Sequence, residues 1–198
     1  MQSTFSAPQG LAQSSTRSFA ESLPGRAVLI VAATVFIAVC AHITVPLPFT
    51  PVPLTMQDFA VLLVGLALGP VSGFAALALY LAEGAAGMPV FTPQGLGGVA
   101  QLMGPTGGFL LAFPFVAAIA GWGARSLKLN NRFARAAVAC ALASIVLFGF
   151  GATWLAQYRH LAPISVMNMA VTPFIPGNLV KIAAAAGIFS AIDRWRRN

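Results

Sequence analysis

Between Asp58 and Glu83 the chain runs through 24 consecutive uncharged residues, and Gly69-Pro70 cuts that run near its middle. Such a block is either one membrane-spanning helix or two shorter helices joined by a turn, because proline stops a helix and glycine accepts the turn that follows. The basic residues choose between the two. Arg17 and Arg26 precede the first apolar block, Arg125, Lys128, Arg132 and Arg135 share one loop, and Arg194, Arg196 and Arg197 close the chain; of the eleven basic residues only Arg159 and Lys181 lie elsewhere. A single helix would set the later clusters opposite the first. Two helices put all three clusters on one side of a membrane, as the enrichment of lysine and arginine in cytoplasmic loops requires.

A membrane is the setting that composition demands. Of 198 residues 58% are hydrophobic and 8% charged, and the mean hydropathy is +0.84. That is far too apolar for a soluble domain. The apolar residues come in long blocks without short alternating segments, so the spans are expected to be helices and not the strands of a barrel. The net charge of +7 reflects topology and not nucleic-acid binding. Cys40 and Cys140 both fall inside apolar blocks, where they act as small hydrophobes, and no disulfide, metal or cofactor site is indicated.

Taken in order, residues 1–25 are rich in Ser, Gln, Ala and Thr and read as a disordered cytoplasmic tail. Residues 26–198 read as one six-helix transmembrane domain. The first span is expected from about Ala27 to Val45, with Thr34 and Ala38 forming a small-xxx-small pair that lets another helix approach, and with His42 as a hydrogen-bonded histidine near its end. Pro46 to Pro53 holds four prolines in eight residues and cannot be helix or sheet interior. Being uncharged as well, it is expected to cap the protein's outer face.

The second span, counted from Leu54, has about 16 residues and reaches only about 24 Å at 1.5 Å per residue. After the third comes Gly84 to Pro105, a long, glycine-rich, nearly uncharged loop of the kind that is usually functional, read here as a movable lid over an outward-facing pocket. Spans four to six are expected at Thr106 to Trp122, Ala134 to Leu155 and Pro173 to Ile192, with Trp154 and Tyr158 as interfacial aromatics and Gln157 to Thr172 as a second outer segment. The fold class is therefore an all-α integral membrane bundle of six helices, both termini cytoplasmic, with Pro/Gly-rich loops over the outer face.

In the last span Asn178 and Lys181 stand three residues apart and share one face. A lysine at the centre of a hydrocarbon span costs on the order of 2.5 to 3.5 kcal/mol. It either snorkels to an interface or turns inward to a buried anion.

Four segments together resemble one family, BioY, the biotin-binding S-component of energy-coupling-factor vitamin transporters. They are Pro46-Leu47-Pro48-Phe49-Thr50-Pro51-Val52-Pro53-Leu54-Thr55-Met56-Gln57, Gly84-x-x-Gly87-x-Pro89-Val90-Phe91, Leu102-Met103-Gly104-Pro105-Thr106-Gly107-Gly108-Phe109, and Pro173-Phe174-Ile175-Pro176-Gly177-Asn178-Leu179-Val180-Lys181. The resemblance covers the chain from about Ala27 onward. It implies a substrate-binding subunit in a bacterial cytoplasmic membrane, with biotin as the carried ligand and no cofactor of its own.

Biotin needs apolar walls for its bicycle, amide-like groups for its neutral urea, and a cation or polar cap for its carboxylate. The family's last motif usually reads Pro-Gly-Asp-x-x-Lys, and the resemblance makes its acid and lysine substrate contacts. Here the acid position is Asn178, which keeps pairing with a urea but removes the nearest ionic partner of Lys181. Asp58 and Glu83 are the acids left on that side. Asn178, Lys181, Gln101, Glu83 and Tyr80 are the candidate binding residues, with helix packing, an exposed helix end or loop surface as the plain alternatives for the last three.

No Gly-x-x-x-x-Gly-Lys-Ser/Thr phosphate loop occurs, so energy must come from elsewhere. The resemblance implies a transmembrane coupling subunit and two cytoplasmic ATPases, docking on the first three helices around Thr34 and Ala38, and it leaves room for a homo-oligomer. Two rivals remain. A membrane enzyme would want paired carboxylates, a zinc motif or an activated serine, and none stands at the needed spacing. An S-component for another small vitamin would differ only in its ligand.

Overall fold

The structure, a computed structural model, describes residues 22–195. Residues 1–21 of the expected tail lie outside these. The first helix, α1 (Leu23–His42), begins earlier than expected, because Ser22 accepts a hydrogen bond from the Gly25 amide at 3.2 Å and Pro24 falls in the first turn, where no donor is needed. His42 ends it, with its Nδ1 2.8 Å from the Ala38 carbonyl.

The 24-residue apolar block breaks where glycine and proline break it. Helix α2 (Gln57–Leu68) stops at Gly69, whose φ of 87° suits glycine, and α3 (Pro70–Ala85) starts at the proline. With 12 residues α2 is shorter than expected and reaches about 18 Å. What precedes it is a small hairpin, β1 (Thr44–Val45) antiparallel to β2 (Leu54–Thr55), with the proline segment as its tip. Proline-free residues flank the tip on both sides, which is what lets these two pairs form a ladder.

The long loop after α3 contains one short helix, α4 (Gly98–Leu102). Then come α5 (Gly107–Ser126), α6 (Arg132–Arg159), α7 (Pro163–Ala170), a 3-10 turn (Thr172–Phe174) and α8 (Ile175–Trp195). The described residues are about three-quarters helical, 76%. Among the described residues four helical stretches are long and apolar enough to cross a membrane: α1, α5, α6 and the run from α7 through α8. Helices α2 and α3 are apolar but shorter.

Helix α2 lies in the middle, packed on α1, α3, α5 and α8. Small residues set these approaches. A Cβ on Gly65 would overlap the Ala117 carbonyl of α5, and one on Gly121 would strike the backbone of Gly65 and Gly69. The Gly69 turn is also clasped by Arg125, whose guanidinium donates to the carbonyls of Leu66 (3.3 Å) and Gly121 (2.9 Å), satisfying the end of α2. At the same end of the bundle Arg132 pairs with Asp193, tying α6 to α8. Apolar side chains face outward on α1 at Val28, Val31, Val35 and Val39, as a lipid-facing helix requires.

The opposite end is covered. Thr50 in the proline tip donates to the Met169 carbonyl at 2.7 Å, fixing the hairpin to α7. Val52, Leu155, Val166, Ala170 and Phe174 form a separate apolar cluster beneath this join. Trp154, expected as an interfacial aromatic, donates its indole N–H to the Gly104 carbonyl at 2.8 Å and lies against Gly108. Tyr158 is exposed.

Candidate functional site

Helix α2 starts directly under the proline hairpin, and its first turn carries Gln57 and Asp58. Thr55 accepts from the Gln57 amide through its Oγ1 at 3.2 Å, capping one of the helix's free donors. Lys181 on α8 comes in from the other side. Its ammonium is 2.8 Å from Asp58 Oδ2, so the lysine turns inward and the buried anion is Asp58. The lysine side chain is 7% exposed and that of Asp58 24%. Protein shields the cation, while the carboxylate keeps one edge open.

That edge looks into a cavity. An inner chamber of about 50 Å³ is walled by Phe109, Phe113, Leu147, Phe148 and Phe174, with Thr55, Gln57, Asp58, Thr92, Gln101 and Thr106 as its polar groups. An outer chamber of about 200 Å³ lies between the proline tip (Pro46, Leu47, Thr50, Pro51) and the long loop (Thr92, Gln94, Gly95, Leu96). Pro53, Thr92, Gln101 and Thr106 line both, so the chambers adjoin. Apolar walls with a few convergent polar groups are the usual form of a small-molecule site. The two covers expected from the sequence do stand over a hollow.

The five candidate residues divide by position. Gln101 reaches both chambers, yet its amide is engaged: Nε2 donates to Thr92 Oγ1 at 2.8 Å and Oε1 accepts from the Gly97 amide at 3.1 Å. It holds the loop in shape. Tyr80 is fully buried beside the cavity, accepting from Gln57 Nε2 at 2.6 Å and donating to the Val90 carbonyl at 2.7 Å. Phe91 stacks edge-on against Tyr80 and fills the space over Gly84.

Asn178 is buried between α6 and α8, where Ser144 donates to its Oδ1 over a long 3.4 Å. Neither Asn178 nor Lys181 lines a chamber wall; Lys181 reaches it through Asp58. Glu83 lies elsewhere. It accepts from Thr34 Oγ1 at 3.1 Å, at the contact of α1 with α3. Thr34 is accordingly 1% exposed, so it joins those two helices and does not offer a free docking face, while Ala38 beside it is partly covered. The hydroxyl facing an acid was hidden by reading Thr34 only as a small residue.

Two residues at the cavity were not among the five. Gln57 and Asp58 are an adjacent amide and acid at the mouth of an uncharged helix, directly after the proline segment. That juxtaposition is a signal the sequence carries. No group of three or more His, Cys, Asp or Glu among the described residues stands close enough to hold a metal.

The geometry has a counterpart in known proteins. A family model described as the BioY family matches residues 12–198. The chain belongs to the BioY family. BioY relatives include a "Probable biotin transporter BioY" of Pyrococcus horikoshii, 38% identical over 68% of this chain and 76% of the relative. A "Biotin transporter BioY" of Rhodobacter capsulatus is 33% identical over 77% of this chain and 84% of its own length. A crystal structure described as the S-component for biotin from an ECF-type ABC transporter superposes with a TM-score of 0.77 at 25% identity, covering 95% of both chains. As a BioY protein the chain is a multi-pass membrane protein of the transporter class and not an enzyme.

Proposed function

We propose that this chain is the biotin-binding subunit of a biotin uptake system. The reading rests on one observation above others: an apolar two-chamber cavity whose inner end gathers an amide, a carboxylate and the lysine that neutralises it, beneath the segments Pro46–Pro53 and Gly84–Pro105 that carry the family resemblance. Apolar walls suit the bicycle and valeryl chain, and paired donors and acceptors suit the urea.

In this reading six helices cross the bacterial cytoplasmic membrane, with α2 and α3 completing the count and both termini on the cytoplasmic side. The arginines at 125 and 132 lie at the end away from the cavity, which supports an outward-facing site by the distribution of basic residues. Energy would be supplied by a transmembrane coupling subunit and cytoplasmic ATPases, since the chain has no phosphate loop. Calorimetric titration of the detergent-purified protein tests the proposal. Saturable binding of one biotin per chain is expected, undisturbed by other small vitamins. Absence of binding, or displacement of biotin by a different vitamin, would reject it.

A further inference from the structure

The three segments that cover the cavity end, residues 43–57, 84–105 and 161–174, contain no charged residue. In a soluble domain about a quarter of the residues are charged. These segments expose large apolar side chains instead. Phe49 on the proline tip, Leu96, Val99 and Met103 on the long loop, and Ile164 and Met167 on α7 are each 46% to 77% exposed. The tip faces the loop across the outer chamber and is tied to α7 through Thr50, so the six belong to one rim. Apolar side chains scattered singly need no explanation, but a continuous rim of them marks a contact surface.

The height of this rim follows from a hydrogen bond lower in the bundle. Thr34 of α1 donates to Glu83 of α3 at 3.1 Å, which sets the two residues at one level. From there α1 runs on to His42, about 12 Å at 1.5 Å per residue, while α3 ends at Ala85, only about 3 Å further. Val39 and Ile43, near and just past the end of α1, are apolar and more than half exposed. They continue the lipid-facing side of that span. Lipid that covers them also surrounds the long loop, which leaves α3 beneath their level. The backbone limits the depth: irregular chain exposed to lipid does not occur within the hydrocarbon itself, and the residues between α3 and α4 are irregular. Rim side chains in the acyl layer with their backbone among the headgroups satisfy both conditions.

The charges agree. Asp58 and Glu83 are engaged inside the bundle, by Lys181 and Thr34. Exposed cationic chemistry at this end comes from Arg159, the last residue of α6, between Tyr158 and His160. An arginine beside an interfacial tyrosine suits a lipid phosphate.

We infer that the outer rim is a phospholipid-contacting surface, seated at the boundary between the headgroups and acyl chains of the outer leaflet, with Arg159 at the phosphates and the mouth of the cavity opening inside the headgroup layer. Interfacial elements of this kind bury their apolar side about 5–10 Å into that boundary. The inference goes beyond the proposed solute and holds whichever solute the cavity takes.

The test measures depth on the full chain in phosphatidylcholine nanodiscs, which leave both faces open to solvent. Cys40 and Cys140 are buried, so a thiol-reactive fluorophore reports from a cysteine introduced by Phe49→Cys, Leu96→Cys or Met103→Cys. Val31→Cys on the flank of α1 and Asn130→Cys in the loop between α5 and α6 are the lipid and water references; both positions are exposed. Thermal unfolding confirms that each variant is folded, and the three rim positions lie on two separate segments, so a variant that misfolds leaves the others to decide. Phosphatidylcholine carrying a nitroxide at carbon 5 of its acyl chain is expected to quench the three rim labels at least about twofold more strongly than the same lipid labelled at carbon 12, and at least about twofold more strongly than aqueous iodide. Iodide quenching equal to that at position 130 would place the rim in water and overturn the inference. Strongest quenching from carbon 12, as at position 31, would overturn the interfacial seat, and labels reached by neither quencher would show the rim covered by protein, a second copy included, and overturn it also.

Discussion

Gly65 of α2 lies so close to Ala117 of α5 that the smallest possible side chain at position 65 would overlap the Ala117 carbonyl. Gly65→Ala should therefore force the two helices apart. Overpacking of this kind costs about 1 to 3 kcal/mol. Thermal unfolding in detergent should show a lowered midpoint, and Gly65→Val a larger drop; Gly149, which has nothing near it, is the matched control, and Gly149→Ala should be silent or slightly stabilising.

Lys181→Met should destabilise the protein more than the double variant Lys181→Met with Asp58→Asn. The single change leaves a carboxylate without its cation, and the double change removes both charges. Because Asp58 keeps some access to the chamber, the single loss is expected on the order of 2 kcal/mol, below that of a fully buried pair. Equal unfolding midpoints for the two variants would show that the pair is not coupled.

Lys181→Ala and Asn178→Ala should each lower biotin affinity by about tenfold, or 1.4 kcal/mol. For Lys181 the effect runs through the freed Asp58. For Asn178 it runs through the contact with Ser144 that holds α8 to α6 one turn from the lysine. Titration at fixed salt measures both, and unchanged affinity in the two variants would place the pocket elsewhere.

Trp154→Phe keeps the ring volume over Gly108 and deletes the bond to the Gly104 carbonyl. A bond of this kind contributes about 1 kcal/mol. Hydrogen exchange over residues 97–106 should quicken, and bound biotin should leave about fivefold faster. Exchange identical to the parent protein would mean that the indole does not anchor the loop.

Much of this architecture was legible in the chain, and the exceptions have physical causes. Gly69-Pro70 announces its turn because both residues act on the backbone alone, and the structure breaks there. Lys181 posed a choice between an interface and a buried anion, because a charge in an apolar block needs one or the other, and the pair with Asp58 decides for the anion. The choice between Asp58 and Glu83 was not legible. It depends on α2 packing against α8, which brings together residues 123 positions apart, while Glu83 turns to Thr34 on α1. Helix α1 starts before the expected Ala27 because Ser22 caps it and Pro24, in a first turn, removes no bond. Gln57 carries no charge to mark it in the sequence, and its place at the chamber is fixed by its bond to Tyr80 on α3.

The immobility of α2 also decides how a solute gets in. Gly65 leaves no room between this short rod and α5, and Arg125 clasps its foot, so an opening through the flank of the bundle would have to break both contacts. The threshold is the seam overhead, where the proline tip faces the Gln94–Leu96 strip. Thr50 fastens one side of that seam, the tip, to α7, while the other side carries the glycines.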